Sequence, residues 1–254
     1  MDVSKLWGDA EMKLDRKNAL VTGGSARLGR AISLGLAAWG ADIAMTYTRS
    51  RERAEDTMAE IQGLGRRSAL IKTDFSQPST DMYDLIHRAS QHLGGINILI
   101  NNAAIFEKGD WDTTTEENWD RHFAINLKSP FFLCQAFAKA LPTGSHGHIV
   151  NIADWRGVRP STDHIAYTLA KSALITMTKS LALSLAPFIQ VNAIAPGMIL
   201  PPPGMDRAVL TRMSEKIPVK KPGNPDDIVS TVIYLLESEF VTGDLIYVTG
   251  GEHL

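Results

Sequence analysis

The chain of 254 residues contains 44% hydrophobic and 21% charged residues and has a formal net charge of −2, values typical of a soluble globular protein. The balanced charge argues against a nucleic-acid-binding protein, and no apolar run reaches the roughly 18–20 residues of a membrane span. The first 18 residues are charged and lack the apolar core of a secretory signal, and the single cysteine, Cys134, excludes an intrachain disulfide. We therefore expect a cytoplasmic protein with no metal site and no membrane partner, in which Cys134 is a core residue.

Short apolar segments alternate with amphipathic segments along the chain. The apolar segments predict seven strands, over residues 18–24, 41–48, 67–74, 96–103, 148–154, 189–196 and 244–251. The amphipathic segments predict helices over 27–40, 51–65, 82–94, 114–141 (broken by Pro130), 165–187 and 225–237. This alternation predicts a single α/β domain over 1–254, a Rossmann-type, doubly wound parallel sheet with helices on both faces. The segment 198–221 has three consecutive prolines, and we expect it to be an excursion that binds the substrate.

The loop TGGSARLG (22–29) lies between the first strand and the first helix, as a phosphate-binding loop does. Gly23 permits a tight turn, Gly29 permits close packing, and the helix N-terminus offers N–H groups to a pyrophosphate. The expected cofactor contacts in this loop are Gly23, Ser25, Arg27 and Leu28. The spacing differs from GxGxxG because Arg27 stands where another glycine is expected, so a plain strand-to-helix turn remains the alternative.

The end of the second strand indicates which dinucleotide is bound. An NAD site places a carboxylate there for the ribose 2′-hydroxyl, but the only nearby acid, Asp42, lies at the start of the strand. The strand end instead carries Tyr47, Thr48, Arg49 and Ser50. An arginine suits a 2′-phosphate, so these four residues predict NADP(H), unless Arg49 is only a solvated cation at the helix entry.

Tyr167 and Lys171 lie four residues apart, so they project from one face of a predicted helix. A nearby ammonium stabilises a phenolate, and we expect Lys171 to lower the pKa of Tyr167. Such a pair is suited to donating a proton in a reduction.

Together these segments resemble the short-chain dehydrogenase/reductase family over nearly the whole chain. The matching pieces are the TG loop, Asp74 after the third strand, INNAA (100–104), Asn126 in FAINL, YTLAK (167–171) and APG (195–197). The resemblance implies that Tyr167 is the general acid, that Lys171 holds the nicotinamide ribose, and that Asn126 fixes a water on the proton relay. It also implies that Asp74 contacts the adenine, with further cofactor contacts from Phe75, Asn102, Ala103, Tyr167, Lys171, Pro196, Gly197 and Ile199.

Two positions depart from the usual pattern of that family. The family carries a serine thirteen residues before the tyrosine, where this chain has Asp154, and a glycine in place of Arg27. The same two departures occur together in pteridine reductases, and the bacterial dihydromonapterin reductases look similar. The segments RLGR, NIADW and HIAYTLAKSAL resemble that branch. This similarity implies that Arg27 lies over the cofactor phosphates and faces the substrate.

The chemistry of a carboxyl group supports the same branch. An ionised Asp154 would repel the alkoxide-like oxygen of a ketone reduction, whereas a carboxylic acid can deliver a proton to the nitrogen of a C=N bond. Phe106 is expected to stack on a flat heterocycle. The expected substrate contacts are Arg27, Phe106, Asp154, Tyr167 and Met198. The alternatives are that Asp154 pairs with Arg156 or Arg159 and that Phe106 only packs within its loop.

The leading hypothesis is therefore an NADPH-dependent reductase of a dihydropterin or dihydrofolate C=N bond. Two alternatives remain open: a reductase of a carbonyl, such as a 3-oxoacyl thioester or a sugar, and an NADP(H)-binding sensor without turnover. The resemblance also implies a homotetramer, in which His253 or Leu254 approaches a neighbouring active site or simply frays. The sequence leaves open which pterin or folate side chain is bound.

Overall fold

The computed structural model describes residues 14–201, 204 and 206–254, with Arg207 described by its backbone alone. The charged leader and Pro202 and Pro203 of the proline run lie outside the described residues. In the described part of the chain, seven parallel strands form one sheet in the order β3-β2-β1-β4-β5-β6-β7. The strands are β1 (Asn18–Val21), β2 (Asp42–Tyr47), β3 (Ser68–Lys72), β4 (Ile98–Asn101), β5 (Gly147–Ile152), β6 (Ile189–Pro196) and β7 (Leu245–Val248).

Helices cover both faces of this sheet. They are α1 (Arg27–Ala38), α2 (Arg51–Gly63), α3 (Met82–Leu93), α4 (Glu116–Phe123), α5 (Ser129–Ala140), α6 (Ile165–Leu185), α7 (Arg207–Ser214) and α8 (Pro225–Glu237). One buried core lies between the sheet and α1, α2 and α8, and the other lies between the sheet and α3, α5 and α6. The predicted single, doubly wound α/β domain is therefore confirmed.

The strand order reverses at β1, which pairs with β2 on one side and β4 on the other. Val21 at the end of β1 is in register with Met45 of β2 and with Ile100 of β4. The helices that follow β1 and β4 therefore lie on opposite faces and leave a crevice at the carboxyl ends of the strands. In sheets of this kind, ligands bind in that crevice.

The long helix predicted over 114–141 is not broken at Pro130. A π turn over Ala124–Lys128 joins α4 to α5, and the Ser129 N–H donates to the Ala124 carbonyl five residues earlier. Because a π turn shifts the hydrogen-bond pattern by one residue, Pro130 stands near the start of α5, where its missing N–H is tolerated. The same turn carries Asn126, which is 1% exposed.

A chain of buried amides links the two central strands to the helices behind them. Asn101 Nδ2 donates to Asn151 Oδ1 at 2.8 Å, and Asn151 Nδ2 donates to Thr178 Oγ1 at 2.9 Å. Asn101 also contacts the sulfur of Cys134, whose thiol pKa is raised to about 12 by burial. Cys134 is therefore an unreactive core residue, as predicted.

No helix in the described part of the chain is both long and apolar enough to cross a bilayer.

Candidate active site

A cleft with a volume of about 740 Å³ opens at the carboxyl ends of β1, β2, β4, β5 and β6. Most of the residues predicted to bind cofactor or substrate line it, although they come from separate segments of the chain. They are Gly23, Ser25, Arg27, Leu28, Tyr47, Thr48, Arg49, Ser50, Asp74, Phe75, Asn102, Ala103, Asp154, Tyr167, Lys171, Pro196 and Gly197. The parallel topology brings them together, because every one of these segments is at or just after a strand end or faces one.

The loop after β1 is held tightly against the loop after β4. Asn102 Nδ2 donates to the Thr22 carbonyl at 2.8 Å, and the Ala103 N–H donates to Thr22 Oγ1 at 3.0 Å. Gly23 has a φ of +62°, which a side chain would disfavour. A Cβ on Gly29 would overlap the Gly23 carbonyl and the Asn102 side chain. The two glycines therefore keep the start of α1 close to the strand ends.

The N-terminus of α1 faces this cleft with its N–H groups uncapped. Ala26 at the N-cap gives no side-chain hydrogen bond, and the first turn contains no acidic residue. The free N–H groups and the positive end of the helix dipole can therefore serve an anion. This arrangement, with the glycine-lined loop beside it, fits the pyrophosphate of a dinucleotide.

Arg27 occupies a backbone conformation that normally belongs to glycine. Its φ is +50°, in the left-handed region that is costly for residues with a Cβ. Its side chain crosses the cleft, and Nη2 donates to the Pro201 carbonyl at 2.7 Å. The arginine thus connects the cofactor loop with the start of the 198–221 excursion, a contact that glycine could not make.

Arg27→Gly should be more stable than Arg27→Ala by about 1 kcal/mol, because only glycine relieves the left-handed conformation while both changes remove the guanidinium. Thermal unfolding of the two variants without ligand measures the difference. Equal midpoints, or a more stable alanine variant, would show that the backbone at position 27 is not strained.

After β2, two guanidinium groups and no carboxylate line the cleft. Arg49 and Arg53 both line the cleft, and Ser50 caps α2 by accepting from the Arg53 N–H. Asp42 lies at the opposite end of β2, where it pairs with Arg67 at 2.8 Å. Arg53 was not predicted from the sequence, although its place in the first turn after the Ser50 cap is the signal that could have found it.

Asp74 and Phe75 form the next part of the wall. Asp74 Oδ1 accepts from Ser76 Oγ at 2.7 Å and from the Ser76 N–H at 3.0 Å. These hydrogen bonds, with a smaller contribution from the charge of Arg49, lower the pKa of Asp74. Its carboxylate is therefore fixed in position and charged at neutral pH.

Tyr167 and Asp154, which both line the cleft, share a short hydrogen bond. Tyr167 Oη donates to Asp154 Oδ2 at 2.7 Å, and the Arg156 N–H donates to Asp154 Oδ1 at 2.8 Å. Tyr167 is 6% exposed, and burial, followed by the charge and hydrogen bond of Asp154, raises its pKa well above the usual value. The side chain is thus a phenol at neutral pH, the form that can donate a proton.

Lys171 lies beneath this pair and is almost fully buried. Its Nζ donates to the Ile152 carbonyl at 2.6 Å and lies 5.8 Å from the centre of the Tyr167 ring. Burial lowers the pKa of Lys171 to about 8. The expectation that Lys171 lowers the pKa of Tyr167 is therefore wrong for this arrangement, because burial and the neighbouring Asp154 charge dominate and act in the opposite direction.

Two further predicted residues have partners within the protein. Asn126 accepts from the Ile105 N–H and donates to the Ile105 carbonyl, both at 3.0 Å, so its side chain holds the loop after β4. Phe106 stacks on His164 with ring centres 3.9 Å apart and contacts the edge of Tyr167 at 4.6 Å. Phe106 therefore lies at the site, but one face of its ring is already covered by His164.

A family model described as Enoyl-(Acyl carrier protein) reductase matches residues 24–253. The chain belongs to the short-chain dehydrogenase/reductase family. The family predicted from the motifs is thus confirmed, and the chain is an oxidoreductase of that family.

Similar proteins have names that refer to different reactions. The 3-oxoacyl-[acyl-carrier-protein] reductase FabG of Staphylococcus epidermidis is 31% identical over 94% of this chain and 99% of that protein. FolM alternative dihydrofolate reductase 1 of Brucella canis, solved with NADP, has a TM-score of 0.90 and 35% identity, covering 96% of both chains. The Brucella suis FolM structure, also with NADP, has a TM-score of 0.89 and 36% identity, covering 93% of this chain and 95% of that one.

Two predicted contacts of this short-chain dehydrogenase/reductase lie away from the cleft wall. The side chain of Ile199 is 6% exposed and packs in the core beside α8, so the cofactor contact predicted for Ile199 stays a prediction. Met198 is held by its backbone, because its carbonyl accepts from the Gly223 N–H at 3.0 Å. The pKa of the nearby Glu252 is raised mainly by burial, and the Met198 backbone acts weakly in the opposite direction.

Residues at the mouth of the site were not all foreseen. Glu107 lines the cleft and pairs with Arg121 at 2.7 Å. Glu252 lies close to Gly197, since a Cβ on that glycine would come within 2.8 Å of its Oε2. The neighbouring Leu254 carbonyl accepts from Arg159 of the same chain. These contacts join distant segments, and no motif or spacing in the sequence indicates them.

Proposed function

We propose that this protein is an NADPH-dependent reductase of a C=N bond in a dihydropterin or dihydrofolate. The observation that carries the proposal is the 2.7 Å hydrogen bond from Tyr167 Oη to Asp154 Oδ2. A phenol and a carboxyl group side by side can deliver a proton to a ring nitrogen and exchange it between them. At a ketone oxygen, by contrast, the negative charge of Asp154 would oppose the charge that develops in the transition state.

The proposed reaction assigns a separate task to each of four side chains, those of Asp154, Tyr167, Lys171 and Asn126. The nicotinamide, when bound, supplies a hydride to the carbon of the C=N bond. Asp154 and Tyr167 act together as the acid: Asp154 takes up a proton from solvent and gives it to the nitrogen. Tyr167, kept protonated by burial and by Asp154, stabilises the carboxylate that is left through their hydrogen bond. Lys171, buried beside the Ile152 carbonyl, is proposed to hold a ribose hydroxyl. Asn126 positions the loop after β4 against the nicotinamide pocket through Ile105.

The proposed cofactor is NADP(H) rather than NAD(H). Arg49 and Arg53 offer two guanidinium groups to a 2′-phosphate at the end of β2, where an NAD site would have a carboxylate. The two Brucella FolM structures are complexes with NADP. The free N-terminus of α1 would take the pyrophosphate.

Arg49→Ala should reduce the preference for NADPH over NADH at least tenfold, since a charge-assisted hydrogen bond contributes about 1.5–3 kcal/mol. Dissociation constants for both cofactors, measured by the change in tryptophan fluorescence, give the preference. Arg51→Ala is the matched control, because Arg51 pairs with Glu55 at 2.7 Å and lies outside the cleft wall. An unchanged preference in Arg49→Ala would contradict the assignment of Arg49 to the 2′-phosphate.

NADPH oxidation by the purified protein tests the proposed function. Dihydropterins, dihydrofolate and acetoacetyl thioesters are the substrates to compare, and the proposal expects turnover of a pteridine. Turnover of thioesters alone would overturn it. Turnover in any arm would also exclude a sensor without catalysis, for which a buried Tyr167–Asp154 pair would have no use.

Reduction of a 3-oxoacyl thioester is the second candidate. It is favoured by the 31% identity to the Staphylococcus epidermidis FabG. In that reaction Asp154 would be unfavourable beside the substrate carbonyl, so Asp154→Ser should accelerate thioester reduction. Asp154→Ser is therefore expected to lower the turnover of the native substrate if that substrate is a pteridine and to raise it if it is a thioester.

We also propose a cytoplasmic homotetramer whose contacts involve α4, α5 and α6. Five large apolar side chains on these helices are exposed, namely Trp119, Phe131, Phe132, Leu169 and Leu183. Apolar patches of this kind mark subunit interfaces. Analytical ultracentrifugation measures the assembly, and a monomer would overturn this proposal.

The 198–221 excursion is proposed to contact the substrate, since Arg27 already bonds to it at Pro201.

A further inference from the structure

Arg156 lies beside the proposed proton donors without taking part in their hydrogen bond. Its guanidinium carbon is 4.9 Å from the centre of the Trp155 ring and 5.5 Å from that of Phe106. Its backbone is fixed two residues after the proton donor, because its N–H donates to Asp154 Oδ1. The two aromatic rings therefore hold the cation beside the site, and Phe106 in turn contacts Tyr167.

The guanidinium of Arg156 has no ionic partner at contact distance. Its Nε is buried without a hydrogen-bond acceptor, and the side chain forms no ion pair within 4.0 Å in the described part of the chain. Its positive charge nevertheless acts on Glu252 and Tyr167. It lowers the pKa of both groups, whereas burial raises both pKa values. Glu252 thus partly balances the charge of Arg156 from a distance but leaves its donors free.

We propose that Arg156 is a specificity-determining residue that binds an anionic group carried by the substrate beyond the atoms that are reduced. This inference rests on one part of the proposed function, because it requires the reacting group of the substrate to lie beside Asp154 and Tyr167. A planar guanidinium held against aromatic rings is preorganised for two parallel hydrogen bonds to a carboxylate or a phosphate. The anion belongs either to the carboxylates of a folate side chain or to the phosphate of a pantetheine arm.

Binding of matched ligand pairs to the NADP⁺-saturated protein tests the inference independently of turnover. Isothermal titration calorimetry compares folic acid with 6-hydroxymethylpterin, and 4′-phosphopantetheine with pantetheine. In each pair only the first ligand carries the anionic group. The wild-type protein should prefer the charged member of one pair, and that pair identifies the source of the anion.

Arg156→Met keeps the length of the side chain and removes its charge, and it should reduce this preference at least tenfold. Arg156→Lys keeps the charge without the planar donor pair and should retain an intermediate preference, which tests the idea even if the methionine variant unfolds. Arg159→Met is the matched control, because Arg159 instead donates to the Leu254 carbonyl. Its preference should equal that of the wild type.

Two results would overturn the inference: no preference for either charged ligand in the wild type, or an equal preference in wild type and Arg156→Met. The proposed function is judged separately by turnover. If dihydropterins are reduced and Arg156→Met leaves the preference intact, only the role of Arg156 fails. If no pteridine is reduced and the preference for phosphopantetheine depends on Arg156, the inference stands for a thioester and the proposed function fails.

Discussion

Tyr167→Phe should lower kcat for every reducible substrate by roughly 10²–10⁴-fold, the usual contribution of a positioned general acid. The change removes one oxygen, which donates to Asp154 Oδ2 at 2.7 Å, and preserves the ring that contacts Phe106. The binding of NADPH should change little, because the remainder of the cleft wall is intact. Steady-state kinetics and a fluorescence titration with NADPH measure the two quantities.

Tyr83→Phe provides the matched control for this loss of a hydroxyl. Tyr83 lies on α3 and is 42% exposed, and its hydroxyl bonds to Gln135 at 2.8 Å. Its removal should leave kcat within about twofold of the wild type, since surface substitutions change little. If Tyr167→Phe retained similar activity, the proton would come from another group.

Asp154→Ser should reduce the turnover of pterins by about 10²–10⁴-fold while NADPH binding remains nearly unchanged. Serine keeps a short polar side chain that can accept from the Arg156 N–H but cannot act as a carboxylic acid. The same substitution restores the hydroxyl usual in the family, so carbonyl reduction should appear or increase. Parallel assays of the variant with a dihydropterin and an acetoacetyl thioester measure this exchange of specificity.

Asp154→Asn separates acidity from shape in the same position. Its amide matches the size of the carboxyl group but has no acidic proton to transfer. Pterin turnover should therefore fall as far as in Asp154→Ser. Pterin reduction at the parental rate in either variant would remove the main support for C=N chemistry at this site. Loss of pterin turnover together with loss of NADPH binding would indicate damage to the cleft instead.

The sheet and the cofactor loop could be predicted because their signals are local. The apolar strands and amphipathic helices repeat with the periods of their structures, and the parallel order brings every strand end to one side of the sheet. Gly23, Arg49 and Asp74 were therefore correctly predicted to line one cleft. The π turn over 124–128 escaped prediction, since a shift of one hydrogen bond leaves no separate period in the sequence.

Contacts between side chains from distant segments could not be predicted in the same way. The spacing of Tyr167 and Lys171 suggested that the ammonium governs the phenol, but the phenol bonds to Asp154 across thirteen residues. Phe106 was predicted at the site, whereas its stacking on His164 depends on how two loops meet. Arg156 and Glu252 likewise gain their surroundings only after the chain has folded.

The bond between Arg27 and the Pro201 carbonyl joins the proposed cofactor loop to the proposed substrate segment across 174 positions of the chain, and we expect it to couple the two binding events. Cofactor phosphates would compete with the Pro201 carbonyl for the Arg27 guanidinium. Binding at the cofactor loop would therefore change the free energy of binding at the 198–221 excursion, and the reverse. Coupling of this kind is reciprocal: whatever factor the dinucleotide applies to the affinity for the second ligand, that ligand applies to the affinity for the dinucleotide. Arg27→Ala removes the shared group, and with it the cooperative part of ternary-complex formation.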